Sequence, residues 1–272
     1  MRLLIISCFV VCLVFGEAKQ GGRGTFQSFG VKGGLVYKKG ELEPYTGEML
    51  ISRPHNLTQV RKYAKGMRHG LWHLKNEQGV IISEIVYELN KLDQEASAER
   101  LAKLFETNSQ KYSKDPEIPA LTAMELAQHH YHAQAYRKSL EYTVQAMRLV
   151  DSDNSIYRAA LVQKGRTHNH LGKYHESETQ LLRAVKLVKK AEGETSLNLV
   201  EPLREVANLY GNTGDQMNVL RHLIRIRRLH LHHNMRDSIE SLKNRLAISA
   251  AYRMIGDHEK ALKSGFNVEK II

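Results

Sequence analysis

Cysteine is almost missing from this 272-residue chain, and both examples, Cys8 and Cys12, fall in its first 15 residues. If that segment is removed, no disulfide, thiolate metal site or cysteine nucleophile can form. Catalytic signatures are missing too. There is no Gly-x-Ser-x-Gly elbow, no phosphate-binding glycine loop ahead of a helix, and no paired acid motif placed for a cleft. The glycines read as turn residues, so the sequence points away from an enzyme. Acidic residues are in deficit, 29 against 40 Lys and Arg, for a formal charge of +11. That balance favours acidic partners, anionic lipid head groups or anionic glycans.

Long apolar runs are also lacking. Residues 3–15 are apolar after the lone charge of Arg2, but a membrane span needs about 20 such residues. With Gly16 and Ala18 flanking Glu17, the segment reads as a secretory signal cleaved after Ala18. Ile5, Ile6, Ser7 and Cys8 offer a lipid-attachment alternative with a short lead. Cleavage at 18 removes Arg2 and Glu17 together and leaves the charge unchanged. A cysteine-free exported chain suits a bacterial periplasm, outer envelope or secreted location, and export argues against nucleic acid as a partner. Asn56, Leu57 and Thr58 form a glycosylation sequon that would be plain loop residues in a bacterium.

What the chain does contain is repetition. Gly172-Lys173-Tyr174, Gly214-Asp215-Gln216 and Gly256-Asp257-His258 recur with a constant step of 42 residues. Helical patterns precede and follow each glycine. Ahead of it stand a small residue and an aromatic or His: Gly165 with His168, Ala207 with Tyr210, Ser249 with Tyr252. Behind it a small residue, as at Ala184 and Ala261, lets two helices approach closely. An earlier copy, with Ala127, His130, Tyr136 and Ala146, precedes its counterparts by 38. Four helix pairs are therefore expected over residues 119–272.

These residues resemble the tetratricopeptide repeat (TPR), in a variant with longer helices than the standard 34-residue unit. The customary Trp is missing, Ser139, Ser177 and Val219 replace Ala after the turn, and no Pro closes each unit. The resemblance implies a mainly α chain, a TPR-like α-solenoid, in which the first helix of every pair lines a concave groove. Tyr131, His132, Arg166, Asn169, His170, Arg204, Asn208, Asn212 and Arg253 would line that groove. Arg204, Asn208 and Asn212 share a stripe by their spacing of four. Arginine takes carboxylates bidentately and Asn grips peptide groups, so an extended or acidic peptide is the expected ligand.

Residues 33–91 change register to short runs rich in Val, Ile, Tyr and Trp, bounded by Gly, which predicts a small antiparallel β-hairpin meander. Tyr37-Lys38-Lys39-Gly40, Tyr45-Thr46-Gly47-Glu48 and the run from Tyr63 through Gly66 and Gly70 to Trp72 resemble variant MORN repeats, in which Tyr and Gly hold successive hairpins together. Trp72 is expected to pack the hairpins rather than to present a ligand platform. Ahead of this module, residues 19–32 are Gly-rich and polar and read as a flexible lead-in. Behind it, Leu92, Ala98, Leu101, Leu104 and Phe105 predict a helical bridge ending before Asp115-Pro116, so residues 92–118 read as a capping helix and linker. Nothing comparable follows Phe266, Val268, Ile271 and Ile272, which leaves oligomerisation through the last repeat as an expectation.

Two other clusters invite chemistry. His129, His130 and His132, then His168, His170 and His175, then His230, His232 and His233 crowd together, but their spacings fan around a helix instead of converging. They read as packed or solvated imidazoles, so neither a metal site nor a cofactor is expected. Arg221, Arg225, Arg228 and His232, at steps of 4, 3 and 4, form a basic stripe on the second helix of the third pair. Leu220, Leu223, Ile224 and Leu231 should face inward behind it. The sequence thus describes an exported interaction protein holding a peptide in its groove. The alternative is an envelope adaptor that docks anionic lipid or glycan through the stripe and the hairpin module.

Overall fold

A computed structural model describes residues 29–32, 35–53 and 56–265. The expected signal sequence, most of the expected lead-in, Pro54 and the apolar residues Phe266, Val268, Ile271 and Ile272 lie outside the described residues. The chain divides into two compact units between Thr107 and Asn108.

In the first unit, strand β1 (Phe29–Lys32) pairs antiparallel with β2 (Leu35–Lys38). The expected lead-in is therefore shorter than residues 19–32, because Phe29 is buried and its ring meets Tyr45 edge-on at 4.7 Å. Strands β3 (Gly47–Arg53), β4 (Leu57–Ala64), β5 (Met67–Arg68), β6 (Gly70–Lys75), β7 (Ile81–Glu88) and β8 (Lys91–Asp93) form a second antiparallel sheet. Its order is β3-β4-β6-β7-β8, with β5 paired to β4. The aromatic residues that marked the hairpins form its core: Tyr45, Tyr63, Trp72 and Tyr87 follow one another at ring separations of 6.3, 5.6 and 4.5 Å. Trp72 is 4% exposed and its indole N–H donates to the Lys62 carbonyl at 2.9 Å. It packs the hairpins as expected.

The bridging helix α1 (Gln94–Lys111) starts later than its apolar spacing implied. Leu92 pairs with Tyr87 as part of β8, because Leu89 and Asn90 take left-handed backbone and turn the chain back on β7. The helix docks on its own unit's sheet through Ser97, whose hydroxyl accepts from the Val86 N–H at 2.9 Å.

The second unit contains four helix pairs: α2 (Glu117–His132) with α3 (Tyr136–Leu149), α4 (Ser155–His170) with α5 (Tyr174–Glu192), α6 (Val200–Asn212) with α7 (Gln216–His232), and α8 (Ile239–Ile255) with α9 (His258–Gly265). The repeated glycines work as stop signals. Gly172, Gly214 and Gly256 have φ of 72°, 82° and 88°, the left-handed conformation that costs a residue with a Cβ the most. Gln134 takes the same role in the first copy at φ 60°. The residue after each one donates its N–H to the carbonyl five positions back: Ala135 to His130, Lys173 to His168, Asp215 to Tyr210 and Asp257 to Tyr252. Thus the repeating aromatic or His is also the residue whose carbonyl closes the helix end. In the last two copies the Asp after Gly then starts the next helix, Asp215 accepting from the Asn218 N–H and Asp257 from the Lys260 N–H, each at 3.0 Å.

Small residues allow the pairs to close. A Cβ on Gly165 would lie 2.5 Å from Cγ of Leu181, which is fully buried, so no side chain fits between α4 and α5 there. The Ser177 hydroxyl uses that proximity to donate to the Gly165 carbonyl at 2.8 Å, and Ser249 does the same to Ala261 in the fourth pair. The core passes through successive pairs, with Leu161, Leu181, Leu203, Val206 and Ile226 fully enclosed. On the fourth pair Leu246, Met254 and Leu262 remain exposed.

Candidate functional site

The first helices of consecutive pairs are bridged by side chains about one repeat apart. Arg166 on α4 reaches both Glu201 and Glu205 of α6, at 2.7 and 2.9 Å. Arg204 on α6 meets Glu240 of α8 at 3.1 Å. Asn154, whose side chain caps α4, donates to Glu117 of α2 at 2.6 Å. The Glu201–Glu205 spacing of four puts both carboxylates on one face of α6, where one guanidinium can span them. Arg166 and Glu205 are the enclosed partners, with side chains 20% and 12% exposed. Burial alone would make Arg166 easier to deprotonate, but Glu205 and then Glu201 reverse that and hold its charge firmly.

Around Arg166 lies an aromatic cluster. Its guanidinium sits 5.7 Å from the Tyr131 ring, and Tyr131 meets His170 edge-on at 5.2 Å. Tyr136 stacks on His170, also at 5.2 Å, and His132 touches Tyr131 edge-on at 5.6 Å. Burial pushes the Tyr131 phenol up to about 12 despite the pull of Arg166, so it stays a neutral donor at any ordinary pH. His132 titrates below the usual imidazole range through partial desolvation and then through Arg166. Asn208 donates to Glu205 at 3.3 Å, and Asn212 donates to the buried Asn169 at 3.0 Å. Arg253, exposed in the last turn of α8, has no acidic partner within reach among the described residues.

Eight of the nine expected groove residues therefore make contacts along the first helices, but the electrostatics differ from expectation. Arg166 and Arg204 are already neutralised by the chain's own acids and brace neighbouring repeats. The exposed remainder is amide, imidazole and one arginine. Glu201, Glu205, Glu240 and Tyr136 belong to this face and were not among the expected site residues. The available signal was the acid pair spaced by four on the first helix of the pair following Arg166.

The basic stripe comes together as its spacing implied. Arg221, Arg225, Arg228 and His232 line an open cleft of about 420 Å³, with Glu194 and Thr195 from the α5–α6 connection on its other wall. Arg225 pairs with Glu194 at 2.8 Å, and Arg221 donates to the neutral Asn218 amide at 2.7 Å. Behind the stripe Leu220 and Leu223 are buried, but Leu231 is exposed. At that end of α7 the inward positions are taken by Ile226, Leu229 and His230. Of the clustered histidines His129, His130 and His230 are buried, His130 stacking on Tyr142 at 5.4 Å, whereas His132, His170, His175, His232 and His233 are exposed. Among the described residues no three His, Cys, Asp or Glu side chains are grouped so as to hold a metal ion. No helix among them is long and apolar enough to cross a membrane.

No protein-family model and no curated protein sequence matches the chain. Solved structures match the fold. The crystal structure of BtubC (BKLC) from P. vanneervenii aligns with a TM-score of 0.59 at 15% identity, over 66% of this chain and 73% of that one. A structure from Podosopora anserina described as nearly identical kinesin light chain TPR-like repeats aligns with a TM-score of 0.56 at 15% identity, over 65% of this chain and 86% of that one. The repeat unit is a TPR-like solenoid. At this identity the likeness carries the architecture and no residue of the site. Within the TPR-like unit, the first helices are joined by Arg–Glu bridges and edged by exposed amides and imidazoles.

Proposed function

We propose that this chain is a non-enzymatic protein-interaction scaffold whose first-helix face holds an extended peptide. The observation that carries the reading is the division of labour on that face. Arg166 and Arg204 are bound to Glu201, Glu205 and Glu240, whereas Asn208, Asn212 and Arg253 stay exposed on their first helices and exposed His170 lies against the Tyr131 and Tyr136 rings. Braced repeats lose little further freedom on binding, which lowers the entropic cost of association. Exposed Asn amides offer a donor and an acceptor to each peptide group, and flat rings accept its side chains. Arg253 and the excess positive charge favour an acidic segment.

The test uses peptides selected from a random display library against the full chain. Asn208→Ala combined with Arg253→Ala removes two exposed contacts and should weaken the selected peptides roughly tenfold, the worth of one or two hydrogen bonds. Thermal stability should stay within about 0.5 kcal/mol because neither side chain supports the core. Unchanged affinity would remove the first-helix face as the site.

The hairpin unit is read here as a variant MORN module, supported by the Tyr and Trp residues of its motif forming one continuous stack. Export to a bacterial envelope completes the proposal and rests on residues 1–18. N-terminal sequencing of the protein recovered from its native source should begin at Lys19; a chain that retains Met1 would refute export by cleavage.

A further inference from the structure

The basic cleft on α7 lies apart from the peptide face and is built differently. Arg221, Arg225 and Arg228 stand on one side of a helix, so their Cα atoms are spaced about 6 and 4.5 Å along its axis. The opposite wall is fixed in two places. Glu194 binds Arg225, and the Thr195 carbonyl lies 2.7 Å from Nε2 of His233, one residue past the end of α7. The cleft is therefore recessed rather than flat.

Its charges are incompletely used. Glu194 is the single acid on the lining, is 70% exposed, and is divided between Arg225 and Lys189 at 2.8 and 3.0 Å. Arg221 donates to the neutral Asn218 amide and feels Asp215 without an ion-pair contact, and Arg228 has no hydrogen-bond or acidic partner among the described residues. Counting Arg221, Arg225, Arg228 and Lys189 against Glu194 and Asp215 leaves a local excess of two positive charges. Planar guanidinium forks match phosphate oxygens two at a time. A single carboxylate would leave part of this excess unanswered, and a long acidic peptide spreads its charge over more length than three neighbouring arginines cover.

We propose that this cleft binds a compact, multiply charged phosphate, held by Arg221, Arg225 and Arg228 after it displaces Glu194 from Arg225. Sodium tripolyphosphate, titrated calorimetrically into the full chain at low ionic strength, should bind one to one and weaken as salt is added. Arg225→Gln with Arg228→Gln should cost roughly tenfold per arginine, the scale of charge-assisted hydrogen bonds. Glu194→Gln should tighten binding, because it removes the internal competitor. Arg137→Gln with Lys138→Gln deletes two charges from the exposed start of α3 and should leave binding unchanged.

Vesicles of phosphatidylcholine with phosphatidic acid distinguish the source of the phosphate. Tripolyphosphate binding without vesicle binding assigns a soluble ligand; binding to both, enhanced by Glu194→Gln, assigns a lipid head group. The proposal is overturned if neither probe binds. It is equally overturned if the α3 variant loses as much affinity as the α7 variant, or if Glu194→Gln weakens binding.

Discussion

Arg166→Glu should destabilise the repeat unit by about 3 kcal/mol, the scale of breaking a largely enclosed ion pair. In a unit of this size that lowers the melting temperature by about 6–12 °C. The substitution removes the group that spans Glu201 and Glu205 and sets a third carboxylate beside them. It also removes the cation above the Tyr131 ring. Glu205 is the more enclosed of the two acids, so Glu205→Arg in the Arg166→Glu background should recover part of the loss by exchanging the charges. Denaturant unfolding of the two single variants and the double variant gives the coupling directly. Arg166→Glu with stability within about 0.5 kcal/mol of the parent would show that the bridge is ordinary surface charge. The expectation also bears on function: loss of peptide capture by this variant would report a loosened repeat as readily as a lost contact. Asn208 and Arg253 are therefore the cleaner probes.

A second large effect is expected in the hairpin unit. Trp72→Ala should cost about 3–5 kcal/mol, the usual range for emptying a buried aromatic site. The indole fills the stack between Tyr63 and Tyr87, satisfies the Lys62 carbonyl, and lies beneath the Arg61 guanidinium at 4.9 Å. Among the described residues, Phe29, Met49 and Tyr63 are the other buried members of its core cluster, so the loss empties a large share of that cluster. Hydrogen exchange should show the strands β3 to β7 losing protection while α4 to α7 keep theirs. Trp72→Phe, which keeps a ring, should retain most of the stability. Full strand protection in Trp72→Ala would mean that the stack is not the core of the unit.

Much of the fold could be read from the chain because its signals are local. A left-handed residue at Gly172, Gly214 or Gly256, and the Asp cap right after the last two, act within one helical turn. The four helix pairs and the antiparallel hairpins follow from such signals. Strand β1 was missed because its Gly-rich surroundings hide a pairing that depends on Phe29 reaching Tyr45. Leu92 was misplaced because an apolar residue beside a helical stripe looks the same whether it ends a strand or begins a helix.

The candidate site was legible in position and less so in charge. Helical spacing placed Arg204, Asn208 and Asn212 on one stripe, and Arg221, Arg225, Arg228 and His232 on another. It gave no sign that the first set would be partly neutralised and the second left in excess. The sequence by itself determined where the repeated helices end at their glycines and which residues share a face, since backbone conformation and helical period depend on near neighbours. The tertiary structure alone decided which arginines are occupied. Glu201, Glu205 and Glu240 approach Arg166 and Arg204 from the next repeat, and only the stacking of pairs brings those charges within Coulombic reach.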